Sequence, residues 1–149
     1  QLKAGQMIRI YLALVHGTLA TPEGEINAPI GRHPVYRKKM AVVPGGKPAH
    51  TSYRVLAVFG PYTLVWVRLH TGRTHQIRVH MASLGHPLLG DLLYGGAPLA
   101  GLQRQALHAY RLAFEHPTSR RMLSFSAQLP LDMVNAMDAL GLRYNRITE

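Results

Sequence analysis

The chain has 149 residues, enough for one domain with a real core, and 47% of them are apolar. No apolar run reaches the roughly 18 residues needed to span a bilayer; there is no cysteine, which excludes disulfides and thiolate zinc sites. Lys and Arg total 17 against 7 acidic residues, a formal charge of +10, so the expected partner is a polyanion, with nucleic acid first and a merely basic surface as the alternative.

Met7–His16, MIRIYLALVH, is rich in branched and aromatic residues and closes on Gly17, which predicts a strand. Thr21-Pro-Glu-Gly24 reads as a turn. Residues 32–39, RHPVYRKK, carry a proline and clustered cations and read as an exposed loop. Residues 40–43 and 51–59 read as strands on either side of PGGKPAH, whose glycines and prolines exclude a regular element. Residues 62–70, YTLVWVRLH, place Leu64, Trp66 and Arg68 on one face and Thr63, Val65, Val67 and Leu69 on the other. Two mostly apolar faces predict a central, covered strand.

A short helix follows. Thr74 is its expected N-cap, Ile77, Met81 and Leu84 recur at i, i+4 and i+7, and Gly85 stands at the C′ position. Residues 107–114 and 122–129 predict two more strands. Pro130 opens a last helix through Leu140, with Met133, Val134, Met137 and Leu140 on one stripe and Gly141 closing it. The tail, RYNRITE, reads as frayed. These elements predict an α+β fold with a mixed, largely antiparallel sheet flanked by short helices.

The densest chemistry lies in residues 71–80, TGRTHQIRVH. His75 and His80 are five apart, about 140° around a helix, so they do not share a face, and the glutamate of the metalloprotease pattern is missing. No metal site is expected there. Thr71-Gly72 precedes a helix N-terminus, which suits an anion, but the glycine spacing of nucleotide-phosphate loops is absent. Arg78 falls beside the apolar stripe, where a partly buried guanidinium requires a carboxylate; an exposed or structural arginine is the alternative. The chain offers only Asp91, Asp132, Asp138, Glu23, Glu25, Glu115 and Glu149, none in a setting that looks reactive.

LHTGRTHQIRVHMASLGHPLLGDLLYGG resembles the signature of RluA/RluD-type pseudouridine synthases. IYLALVHG, RHP, KMAVVPGGKPAHTSYRVL and LHAYRLAFEHP match the same family in the same order, so the resemblance runs from about residue 1 to 140. It implies isomerisation of uridine to pseudouridine in structured RNA, ribosomal RNA before transfer RNA, with no metal or redox cofactor. Tyr11 matches the tyrosine that stacks on the target base and is a candidate for proton transfer at C5. Arg78 matches the basic residue that pairs with the catalytic aspartate. Leu107 matches an apolar residue of the uracil pocket, which Ile77 adjoins. Arg73 and His75 are expected near the RNA backbone, and Arg32, Arg37, Lys38, Lys39 and Lys47 are expected to hold phosphates. Asp91 matches a family position as a structural hydrogen-bonding residue.

One departure counts against these matches. The family's nucleophilic aspartate lies in an upstream Arg-Leu-Asp motif, and no such motif occurs here. The expectation is therefore that residues 1–149 form the C-terminal part of a catalytic domain, inactive alone, with the missing aspartate as the absent partner of Arg78. A non-catalytic RNA-binding or ribosome-associated module is the alternative. The start, QLKAGQMIRIYLALVHG, lacks a signal-peptide layout; a cytoplasmic location, no membrane partner and a monomer are expected.

Overall fold

Met7–His16 forms strand β1, and its alternation explains why it ends up central: Leu12 and Leu14 point to one face, Ala13 and Val15 to the other, and all four are fully buried. The computed structural model describes residues 7–98, 104–115 and 118–139. The other strands are β2 (Glu23–Asn27), β3 (Ile30–Arg32), β4 (Met40–Val42), β5 (His50–Phe59), β6 (Tyr62–Leu69), β7 (Leu107–Glu115) and β8 (Met122–Ser126). Two helices accompany them, α1 (Gln76–Ser83) and α2 (Leu131–Ala139). Six strands make one sheet in the order β2-β5-β6-β1-β7-β8, and β3 pairs with β4 apart from it. Every described pairing is antiparallel, so the sheet is not mixed among these residues.

Each face of the sheet has its own core. Leu12, Leu14 and Leu64 pack with Met133, Ala136 and Met137 of α2, while Ala13, Val15, Val65, Val67 and Leu69 pack with Ile77 and Met81 of α1. Each fully buried Leu, Val or Met side chain contributes about 1.5–3 kcal/mol. This two-sided cover is what the apolar faces of residues 62–70 predict. Ile30 of β3 packs with Val79 and Tyr94, which fixes the small ribbon beside α1.

The structure corrects several boundaries. The expected turn at Thr21–Gly24 is shorter, because Glu23 and Gly24 already pair with Arg54 and Tyr53 as β2. EGEIN offers one buried apolar residue, Ile26, so this edge strand is held by its partner rather than by its own pattern. The Tyr53 ring rests against Gly24, where a Cβ would lie 2.7 Å from its hydroxyl and push the ring aside. Arg32 belongs to β3, and the exposed loop starts after it. β8 stops at Ser126, so Leu129 turns into the core instead of extending the strand.

Helix α1 starts later than expected. His75, not Thr74, is its N-cap, in the left-handed conformation (φ 56°) and with no side-chain cap. Its C-terminus follows the glycine signal: Gly85 (φ 86°) donates to Ala82 O at 2.9 Å and His86 to Met81 O at 2.9 Å, the paired bonds of a Schellman turn. The expected contribution of Leu140, the closing Gly141 and the tail lie outside the described residues.

Candidate active site and basic groove

The β6–α1 junction is organised by a buried glutamine. Gln76 is 2% exposed, and every polar valence of its amide is used. Its Nε2 donates to His50 O and Thr51 Oγ1, both at 2.9 Å. Its Oε1 accepts from Thr71 Oγ1 at 2.7 Å and from the Arg73 amide at 3.0 Å. Thr51 in turn reaches His80 Nδ1 at 2.7 Å, and His80 Nε2 donates to Ala28 O at 2.9 Å. His80 is therefore a satisfied core histidine, and the loop 71–75 is clamped onto the start of β5.

Residue 75 is held in its left-handed conformation by a tertiary contact. Tyr94 Oη accepts the Met40 amide at 2.9 Å, which leaves its proton to be donated to His75 Nδ1 at 2.8 Å. That assignment places the imidazole proton on Nε2. The conformation costs about 1–2 kcal/mol for a residue with a Cβ.

Arg78 departs from the expectation. Its Nε and Nη2 meet Asp91 Oδ2 and Oδ1 at 2.8 and 2.9 Å, a bidentate pair. The guanidinium also lies over the Tyr94 ring, 4.9 Å from its centroid. The Asp91 side chain is 1% exposed and that of Arg78 14%. The partner of Arg78 thus lies within this chain. Asp91 is the structural residue the resemblance implies, and also the carboxylate that the sequence leaves Arg78 without. The chain reaches it through GDLLYGG, which closes on itself: the Gly96 amide donates to Asp91 O at 2.8 Å, and a Cβ on Gly96 would collide with Leu88 O. The Asp91 hydrogen bonds raise the Arg78 pKa, against the effect of burial.

His75, Gln76 and Arg78 line a cleft of about 230 Å3 with Tyr11, Leu69, Arg73, Gln105, Ile77 and Leu107. That is smaller than the roughly 300–1,000 Å3 of drug-sized pockets and suits a single flat ring. Tyr11 enters from β1 where its pairing with β7 slips: Ile10 faces Arg111 but Tyr11 faces Ala109, so Tyr110 is the extra residue of a bulge. Bulges re-aim neighbouring side chains, and this one adjoins the tyrosine singled out by the sequence.

A groove of about 460 Å3 shares Arg73 with the cleft and gathers Arg32, Lys47 and Thr74. Arg73 Nε is fixed to Pro48 O at 2.7 Å, and Arg32 Nη1 to Arg37 O at 2.7 Å. Arg37 and Lys38 stand exposed on the loop outside this groove. Lys39 leans over the rings of Tyr36 and Tyr94, at 5.9 and 5.5 Å. Of the seven cationic or histidine positions expected at RNA, Arg32, Lys47 and Arg73 share the groove and His75 lines the cleft.

Four further residues at this junction carry no clear signal in the sequence. Tyr94 joins His75, Arg78 and the basic loop; Gln76 sets the junction; Gln105 lines the cleft. Arg9 lies two residues before Tyr11 on the same face of β1, with its Nη1 against Gly72 and its buried Nε unpartnered among the described residues. The positive flanks of TGRTHQIR gave no signal for an arginine some sixty residues earlier.

Burial, and then the Arg78 charge, push the His75 pKa down, with Asp91 partly opposing; burial also lowers His16, His70 and His80. A depressed imidazole binds its proton more readily unfolded than folded. The folded state therefore loses stability as pH falls below the ordinary value of 6.5, until the folded pKa is passed. Urea unfolding should give a higher midpoint at pH 7.5 than at pH 5.5, on the basis of the ordinary imidazole range. An unchanged or higher midpoint at the acid pH would contradict these shifts.

Known proteins of similar sequence and fold agree with one another. A family model described as RNA pseudouridylate synthase matches residues 1–83. The ribosomal large subunit pseudouridine synthase D of Haemophilus ducreyi is 45% identical over 161 residues, covering 99% of this chain and 49% of that protein. That of Nitrosomonas europaea is 49% identical over 148 residues, covering 94% and 43%. The solved structure of human RNA pseudouridylate synthase domain containing 1 superposes with a TM-score of 0.72 at 31% identity, covering 90% of this chain and 58% of that one. The chain thus spans about half the length of the curated relatives it matches.

Proposed function

Because the chain belongs to the RNA pseudouridylate synthase family, we propose that it is the C-terminal part of a catalytic domain that isomerises uridine to pseudouridine in structured RNA. The observation that carries this reading is the convergence of Tyr11, Ile77, Arg78 and Leu107 on a ring-sized cleft that opens beside a basic groove. Relatives named for the ribosomal large subunit favour ribosomal RNA over transfer RNA as substrate. A ribosomal substrate favours action in the cytoplasm, as a monomer in this proposal. Among the described residues no helix is long and apolar enough to cross a membrane.

The reaction breaks the N1–C1′ glycosidic bond, turns the uracil and joins C5 to C1′, with the C5 proton leaving. The base must first leave its stack, at a cost of a few kcal/mol, which an aromatic face in the cleft partly offsets. Tyr11 lines the cleft and is the candidate for that face, with its hydroxyl the candidate for moving the C5 proton. Leu107 and Ile77 exclude water. The Nη1 group of Arg78, not engaged by Asp91, and the Nε2–H of His75 are donors available to the uracil carbonyls or to a developing negative charge.

Among the described residues the cleft is lined by no carboxylate. Asp91 is locked to Arg78, and Asp132 meets Arg104 at 3.1 Å. The nucleophile then has to come from an Arg-Leu-Asp segment outside these residues, as the resemblance implies. Arg78 no longer needs that aspartate for its own neutralisation, so a non-catalytic RNA-binding module remains the second reading. An Arg-Leu-Asp encoded upstream of Gln1 would decide for the enzyme.

The basic loop separates binding from chemistry. Replacing Arg37, Lys38 and Lys39 by Ala should weaken RNA binding alike for all sequences. It should also flatten the log–log salt dependence by ~0.7 for each single-strand phosphate that the loop no longer engages. Binding titrations at several salt concentrations check this, and equal slopes would move the phosphate binding to the Arg32–Lys47–Arg73 groove alone.

A further inference from the structure

We propose that Glu25, His50 and His70 form a site for a borderline divalent transition ion, Zn2+ in the first instance, on the face of the sheet turned away from the cleft. The site does not depend on the proposed function. One donor atom from each residue lies within 4.8 Å of the other two. The three come from adjacent strands: Glu25 is on β2, His50 opens β5, and His70 directly follows β6. Side chains alternate along a strand, so the burial of Ile26, Thr51 and Leu69 against the α1 side puts Glu25, His50 and His70 together on the other side. In the sequence only His75 and His80 invite a metal, and their spacing excludes one. Donors drawn from three strands, each far from the next in sequence, leave no spacing pattern to find.

The scaffold is rigid where it needs to be. His70 N donates to His50 O at 3.0 Å, His50 N donates to Thr71 Oγ1 at 3.0 Å, and Gln76 Nε2 holds the same His50 carbonyl. The two imidazoles stack with centroids 4.0 Å apart and planes 13° from parallel. Glu25 Oε1 already sits 2.5 Å from His50 Nε2, and His70 Nε2 sits 2.6 Å from Ser52 Oγ. A tetrahedral ion with bonds of about 2.0–2.2 Å holds its donors roughly 3.4 Å apart, so binding would draw the donors in and turn the two imidazoles out of their stack. Binding would replace the His50–Glu25 contact with a bond from each to the metal.

The donor set decides the class of ion. Two imidazole nitrogens and one carboxylate oxygen form a three-ligand zinc set, with the fourth position left to Ser52 Oγ or water. Mg2+ and Ca2+ prefer all-oxygen shells and are disfavoured. The side chains of His50 and Glu25 are 31% and 60% exposed, so an ion reaches them from solvent. Arg68 and Arg54, cross-strand from Ser52 and Glu23, oppose a dication and make the site weaker than a buried structural one. Its effect would be to clip the edge strand β2 onto β5 and β6.

Calorimetric titration of the protein with Zn2+, and separately with Mg2+, tests the assignment. Wild type should take up one equivalent of Zn2+ at this cluster and no Mg2+. His50→Ala, His70→Ala and the conservative Glu25→Gln should each weaken Zn2+ binding by at least about tenfold, the lower end of what losing even an outer-shell partner costs. His33→Ala, outside the cluster, should match wild type. Circular dichroism of each variant confirms that it is folded, and Glu25→Gln, at an exposed ligand, serves if a histidine variant is not. Absence of Zn2+ uptake by wild type, or equal affinity in wild type and the folded cluster variants, would overturn the site.

Discussion

Replacing Arg78 by Ala is expected to cost the fold about 3–5 kcal/mol, because it strands the Asp91 carboxylate, buried, without its cation. The size follows from the geometry. Asp91 is 2% exposed as a residue, both of its oxygens are engaged by the guanidinium, and Tyr94 stacks against that group. Arg78→Lys should recover only part of the loss, since an ammonium cannot make the two-pronged contact. Replacing both partners, Arg78→Met with Asp91→Leu, should cost less than Arg78→Ala, because no charge is left buried. Denaturant unfolding of the three variants measures the series. A loss in Arg78→Ala within about 0.5 kcal/mol of zero, the range of ordinary surface changes, would show that the pair is not an energetic link.

Tyr11→Phe should act on rate rather than fold. The phenyl ring keeps the stacking surface in the cleft, so RNA affinity should change little. Loss of the hydroxyl should slow turnover in the complete enzyme by about 10²–10⁴-fold, the usual contribution of a positioned acid or base. Single-turnover kinetics with a defined RNA separate the two effects. A variant that binds and turns over normally would remove the hydroxyl from the chemistry and leave Tyr11 with stacking alone.

The parts legible in the sequence are those fixed by local pattern. β1 and β6 read correctly because apolar residues occupy both of their faces, and Gly85 marked the end of α1 because only a glycine tolerates that left-handed turn cheaply. The resemblance singled out Tyr11, Ile77, Arg78 and Leu107, and the fold brings these four together in one cleft. What escaped was set by contacts distant in sequence. β2 is half polar and exists because β5 offers it a partner. His75 takes the helix cap because Tyr94, nineteen residues on, holds its ring. Arg78 shows no carboxylate nearby in the sequence because Asp91, thirteen residues on, returns to it only after the chain reverses at Gly85 and turns again at Gly90. The run of glycines around Asp91 was the available signal: Gly90, Gly95 and Gly96 announce a chain that doubles back, and a carboxylate inside such a turn is the nearest candidate for a buried arginine.

The central claim is that this chain carries the base-binding half of a uridine isomerase whose nucleophile lies outside it. Pseudouridine formation measures that claim most directly. Unmodified ribosomal RNA is incubated with the 149-residue chain and, in parallel, with a longer protein that joins the same residues to an upstream Arg-Leu-Asp segment. The RNA is then digested and its nucleosides separated. The account predicts pseudouridine from the longer protein and none from the chain alone. Turnover by the chain alone would show that the catalytic carboxylate is among Asp91, Asp132 and the other acidic residues here, and would contradict it.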